Sequence, residues 1–167
     1  GNKDAAMENI KAIMELDPEN LYGLLTQAYV RFVEGEEEEA LDIYKHTLGL
    51  IWKHPDLEDE VLDTISRLCL KTGKYEDAKL HANRRIQLVG ENNTSRIIIA
   101  LSSFSLNDDK EFEENLDQAM SMGVYGPAFQ MKVGQLLNDK EKLINLYLKT
   151  CSERSRYEKK LWGATWN

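Results

Sequence analysis

Apolar residues recur at steps of three and four along most of the chain, and strand-like alternation is absent. Ala6, Ile10, Ile13 and Leu16 form one stripe and predict a helix over residues 3–16. Asp17-Pro18 ends it, because the residue before a proline avoids the helical region. The same pair is expected to open the next helix, with Asp17 as N-cap and Pro18 in the first turn, running to about Val33. After Gly35, the acids Glu36 to Glu39 suit a helix N-terminus, where the dipole favours negative charge, and a third helix reaches about Trp52. His54-Pro55-Asp56 is a break. A fourth helix follows from about Leu57 to Thr72, and after Gly73 a fifth from Lys74 to about Leu88. Asn93 or Thr94 is expected to cap a sixth helix that ends at Leu106. A seventh carries Phe112, Leu116, Ala119 and Met120 and stops at Gly123 in a left-handed cap. Gly126-Pro127 opens an eighth, to Leu137. Asn138 or Asp139 caps a ninth towards Lys160, and an apolar tail, 161–167, follows.

Within this helical pattern one unit occurs twice. Gly35 is followed by Ala40 and Tyr44, and Gly73 by Ala78 and Ala82. A glycine turn, a small residue, and an apolar residue one helical turn later describe a helix lying close on its predecessor. The two glycines are 38 residues apart, and recurrence at roughly 20–50 residues is the mark of a helical solenoid. The expected fold is therefore all-α, with antiparallel helix pairs stacked in an α-solenoid of about nine helices.

Charge adds a second asymmetry. The net charge is −8, which argues against a general nucleic-acid binder. Residues 140–160 hold seven Lys or Arg against three Glu, a local +4, so the rest of the chain carries −12. RNA binding by helical repeats is disfavoured by that acidic body. No apolar run approaches the roughly 18 residues of a membrane span, so no membrane insertion is expected. A cytoplasmic and a mature exported protein fit the composition equally.

No constellation of catalytic residues stands out. His46, His54 and His81 each lack a second ligand at helical spacing and read as surface or loop histidines. Ser102 and Ser103 have no neighbouring base, and phosphate-loop, HExxH and CxxC motifs are absent. Cys69 reads as a small core residue, and Cys151 has no partner at metal-ligand spacing. The chain is accordingly not expected to be an enzyme or to hold a cofactor or metal.

The residues also resemble the tetratricopeptide repeat family, whose unit is a helix pair of about 34 residues. Ala6, Ile10, Ile13 and Pro18 match the second half of one repeat. Ala28, Gly35, Ala40 and Tyr44 match the next, and Gly73, Tyr75 and Ala78 another. Phe112, Ala119 and Pro127 match a third, with Asn115 where the family has Ala. The Trp, Leu-Gly and Tyr of the family's first helix are mostly absent. The match covers about residues 5–127, and the final pair, 127–160, matches by helix lengths. The resulting division is a half repeat at 3–18, repeats at about 19–55, 56–92 and 93–126, and a capping pair at 127–160. The first helix of the half repeat is expected upstream of Gly1, in a longer array or protein. It would leave the apolar side of Ala6, Ile10 and Ile13 exposed.

The resemblance implies a right-handed superhelix whose first helices line a concave groove that binds another protein or a peptide. Carried over position by position, the groove comprises Tyr22, Thr26, Tyr29 and Val33, then Asp63, Arg67 and Lys71, then Phe104 and Asn107. Arg67 and Lys71 lie one turn apart and suit a carboxylate, as in family members that clamp one. Leu25 and Tyr29 stand on the second helix where such clamps have polar groups. A surface pair between Asp63 and Arg67 is the plainer reading of those charges, contributing about 0.3–0.5 kcal/mol. A scaffold for protein partners is the leading expectation, and an appendage of a larger catalytic or envelope protein is the alternative. The C-terminal helix and tail are expected to cap the array, with the tail either folding back on it or contacting a second molecule in self-association, because Trp162 and Trp166 each gain about 1.5–3 kcal/mol on burial. Deleting 161–167 should lower the melting temperature or dissociate a dimer, as read by circular dichroism and sedimentation. No change in either would contradict this role for the tail.

Overall fold

A computed structural model describes residues 3–123, 133–135 and 139–150. Its helices are α1 (Lys3–Leu16), α2 (Leu21–Glu34), α3 (Glu37–Gly49), α4 (Glu58–Lys71), α5 (Tyr75–Val89), α6 (Asn93–Ser105) and α7 (Asp109–Ser121). Short 3-10 turns occupy Ile51–Lys53 and Pro55–Leu57. Residues 133–135 and 140–150 are also helical, and no strand occurs among the described residues. The rest of the expected eighth helix, the ninth beyond 150 and the tail 161–167 lie outside them.

Each helix from α1 to α7 lies against the next, apart from the interruption at Ile51–Leu57, and the closest packing is within α2/α3, α4/α5 and α6/α7. The chain is an all-α helical-repeat array. Short connections make neighbours antiparallel. Gly35 and Gly73 both adopt left-handed φ, 84° and 75°, which lets the chain reverse where a side chain would be strained. Ala40 and Ala78, five residues beyond them, are fully buried, as are Ala28, Ala82 and Ala119. Around them lie Leu41, Leu62, Ile65, Leu70 and the run Ile97–Leu101, all buried. Five consecutive buried residues on α6 mean that it is enclosed on all sides rather than amphipathic.

Helix starts differ from expectation in two places. Asp17 does not cap α2. Its Oδ1 accepts from Glu19 N at 3.2 Å and holds a turn through Pro18. Asn20 is the cap, accepting from Gly23 N at 3.0 Å, so that α2 begins where Leu21 and Leu24 can be buried. Likewise Asn92, not Asn93 or Thr94, caps α6 by accepting from Ser95 N at 2.9 Å. Asp139 does cap the last helical segment, accepting from Lys142 N at 3.0 Å. The third helix stops at Gly49 and not near Trp52. There the backbone tightens to i→i+3 bonds such as Leu50 N to Thr47 O, 2.9 Å, ahead of Pro55.

Of the side expected to be exposed on the first helix, Ile13 is exposed and Ile10 is buried, and the Ala6 side chain lies outside the described ones. Gly23 allows α1 this close, since a Cβ there would lie 2.8 Å from Met14 Sδ. His81 is not a surface histidine either. It is half-buried on α5, and burial holds its imidazole below the usual range. Cys69 is buried, and desolvation pushes its thiol up to about 11.

Ion pairs bridge the second helices. Lys45 Nζ meets Asp77 Oδ2 at 2.6 Å between α3 and α5, and Lys79 Nζ meets Glu111 Oε2 at 2.5 Å between α5 and α7. The hydrogen bond between Lys45 and Asp77 raises the amine and lowers the carboxyl. Leu at a fully buried alanine overfills this stack. Ala78→Leu should destabilise by about 1–3 kcal/mol, whereas Leu80→Ala, at 64% exposed, should stay within about 0.5 kcal/mol. Thermal unfolding followed by circular dichroism tests both. Equal melting temperatures would place Ala78 outside a tight contact.

Candidate functional site

The first helices of successive pairs do not stack uniformly. α4 packs directly on α6. Between α2 and α4 lies an open cleft of about 240 Å³, lined by Leu25, Thr26 and Tyr29 of α2 and by Glu60, Val61 and Thr64 of α4. Leu57 of the second 3-10 turn closes one wall and Tyr44 of α3 forms the floor. Tyr44 is buried, and desolvation, reinforced by the charge of Glu60, pushes its phenol up to about 12. It is therefore neutral and hydrogen-bond competent at any physiological pH. The His54-Pro55 interruption supplies the extra chain between α3 and α4, and its His54 ring meets Tyr22 edge-on at 5.5 Å.

Two of the expected groove residues, Thr26 and Tyr29, line this cleft. Tyr22 and Tyr29 are 55% and 52% exposed, enough free aromatic surface for a partner to cover, and Val33 is exposed further along α2. Asp63 and Arg67 follow on α4 but are tied into a network. Asp63 pairs with Arg67 and accepts from Arg85 Nη1 at 2.7 Å, while Arg85 Nε reaches Asp59 at 2.6 Å. Lys71 pairs with Glu37 at the start of α3 and sits 5.3 Å above the Phe32 ring. Phe104 and Asn107 belong to a separate place at the far end of α6. Phe104 stacks on Phe112 at 4.9 Å between centroids, and Lys140 lies over it at 5.3 Å. Lys140 Nζ also donates to Asn107 Oδ1 at 2.6 Å. Asn107 has a left-handed φ of 64°, which asparagine tolerates.

Sequence reasoning did not find Tyr44, Leu57, Glu60, Val61 or Thr64 as lining residues. Glu60 and Thr64 lie one turn apart on the face of α4 that neighbours α2, and the 38-residue spacing of the glycines, four longer than a 34-residue helix pair, is the signal for extra chain ahead of them. Lys140 was beyond any local signal. Among the described residues no group of three His, Cys, Asp or Glu is placed to hold a metal ion. No described helix is long and apolar enough to cross a membrane.

No family model matches the chain. Over 118 residues, 71% of the chain, it is 26% identical to Protein CTR9 homolog of Arabidopsis thaliana, of which the chain spans a tenth.

The Asp63 network is more enclosed than an ordinary surface pair, with side-chain exposures of 14% for Asp63 and 16% for Arg85. Removing Asp63 takes one of two carboxylates from Arg85 and the i,i+4 pair from Arg67. Asp63→Ala should destabilise by about 1–3 kcal/mol. Lys110→Ala, which breaks the solvated pair with Glu114, should change stability by less than about 0.5 kcal/mol. Urea midpoints measure both, and equal shifts would reduce the Asp63 network to a surface pair.

Proposed function

We propose that this chain is a protein-interaction scaffold of tetratricopeptide type, which binds an extended segment of a protein partner along its first helices. The observation that carries this reading is the cleft between α2 and α4, lined by the half-exposed Tyr29, with the half-exposed Tyr22 on the same helix. Aromatic side chains bordering a concave surface give contact area at low entropic cost and are the commonest anchors of interfaces. The paired-helix architecture and the distant similarity to Protein CTR9 homolog support it. The matched stretch is only a tenth of that relative, which favours the array acting as one module of a larger protein. In this reading residues 19–55, 56–92 and 93–126 are the repeats, and Tyr22, Thr26 and Tyr29 are the working part of the expected groove. Arg67 and Lys71 serve the array itself through Asp63 and Glu37.

Alanine substitution separates this face from the others. With a partner recovered by affinity capture, Tyr29→Ala should weaken binding about tenfold or more, with unchanged helicity. Leu80→Ala, on the exposed side of α5, should leave it unchanged. Equal affinity for wild type and Tyr29→Ala would move binding to another face.

A further inference from the structure

The chemistry of the cleft restricts what enters it. Thr26 Oγ1 donates to Tyr22 O at 2.7 Å, and Thr64 Oγ1 donates to Glu60 O at 2.9 Å. Each hydroxyl has a single proton, and both are committed to helix carbonyls. Towards the cleft these oxygens offer only lone pairs. The one charged group of the lining is the Glu60 carboxylate, again an acceptor, and the Tyr29 and Tyr44 hydroxyls complete its polar groups. Its neighbours Glu58 and Asp59 are paired with Arg84 and Arg85, whereas Glu60 makes no ion pair among the described residues. The nearest cation along α4, Arg67, is bound to Asp63, and Lys71 is bound to Glu37. The lining thus presents two threonine lone-pair acceptors, two tyrosine hydroxyls that donate or accept, and one negative charge beside the apolar surfaces of Leu25, Leu57 and Val61.

We propose that the α2/α4 cleft takes a basic segment of a partner protein. An arginine or lysine of that segment donates to Glu60 and the two threonine oxygens, and an adjacent aliphatic or aromatic side chain seats on Leu25, Leu57 and Val61. This assignment rests on the scaffold reading and specifies its ligand. It is opposite in sign to the carboxylate clamp that the family resemblance implies for Arg67 and Lys71. An acidic segment would place its carboxylate beside Glu60 with no cation in the lining to compensate it, and such like-charge juxtaposition rejects a wrong ligand. The acidic body of the array, with −12 outside residues 140–160, steers a basic segment towards it.

The test uses the full chain and two labelled twelve-residue peptides, one alternating arginine with leucine and the other alternating glutamate with leucine, read by fluorescence anisotropy. The arginine peptide should bind and the glutamate peptide should not. Glu60→Gln and Thr64→Val should each weaken the arginine peptide several-fold, with Glu60→Lys at about tenfold or more. The Glu60 effect should shrink as salt is raised. Glu113→Gln, an exposed acid on α7, should have no effect. An equal loss on Glu113→Gln would reveal diffuse attraction and overturn the proposal, as would an unchanged affinity in Glu60→Gln. A dimer that dissociates on Glu60→Gln would put a second copy in the cleft and overturn it too. If the glutamate peptide binds instead and Tyr29→Ala abolishes that binding, the ligand chemistry fails and the scaffold reading stands. If neither peptide binds and Tyr29→Ala does not affect the captured partner, both fail.

Discussion

The structure depends on close approach of helices at alanine. Ala28, Ala40, Ala78, Ala82 and Ala119 are completely buried, on four different helices. A residue without side-chain bulk at a crossing lets two backbones approach, and larger side chains on either side interlock around it. The left-handed turns at Gly35 and Gly73 place each of the following helices, α3 and α5, so that its alanine meets that crossing. The rest builds on this. Leu41, Leu62, Ile65 and Leu70 fill the layers between pairs, and the lysine–carboxylate bridges from α3 to α5 and from α5 to α7 tie the outer surface. Each bridge is neutral in sum, so the acidity of the chain is carried by carboxylates outside such pairs. What the bridges leave unpaired is correspondingly informative, and Glu60 is such a group.

Regular stacking would bring each first helix directly onto the next, as it brings α4 onto α6. The inserted 3-10 turns at Ile51–Leu57 change the spacing at one step only. The result is a recess whose floor, Tyr44, is the apolar residue of the first glycine-alanine unit and whose wall, Leu57, comes from the insertion itself. A local irregularity of the chain thereby opens a cleft of about 240 Å³ between two first helices. The same turns bring His54 edge-on against Tyr22 of α2. An aromatic ring already held in place loses little freedom when a partner covers it.

Much of this architecture was legible in the chain, because it is written in short-range patterns. Gly35 with Ala40 and Gly73 with Ala78 announced close-packed helices, and both pairs do that work. Cap positions were less legible. Asp17 and Asn20 are both good caps, and the choice between them was made by which start buries Leu21 and Leu24. The cleft was legible only on its α2 side, at Thr26 and Tyr29. Helical spacing placed Tyr22, Thr26 and Tyr29 on one side of α2, a property of a single helix. The partners of Asp63, Lys71 and Asn107 lie 22, 34 and 33 residues away, at Arg85, Glu37 and Lys140, and no local spacing reveals them. A charge that reads as available to a ligand in the sequence is often already satisfied by the neighbouring pair of helices. His81 was misread for the same reason, since its burial comes from contacts between helices.

The central claim is that partners are held by the first-helix face at the α2/α4 cleft. The most direct measurement is a backbone amide NMR titration of the full chain with the arginine–leucine peptide. The account predicts that shift changes concentrate at Thr26, Tyr29, Glu60 and Thr64. Changes concentrated instead on the outer surfaces of α3, α5 and α7, around Leu80, would contradict it.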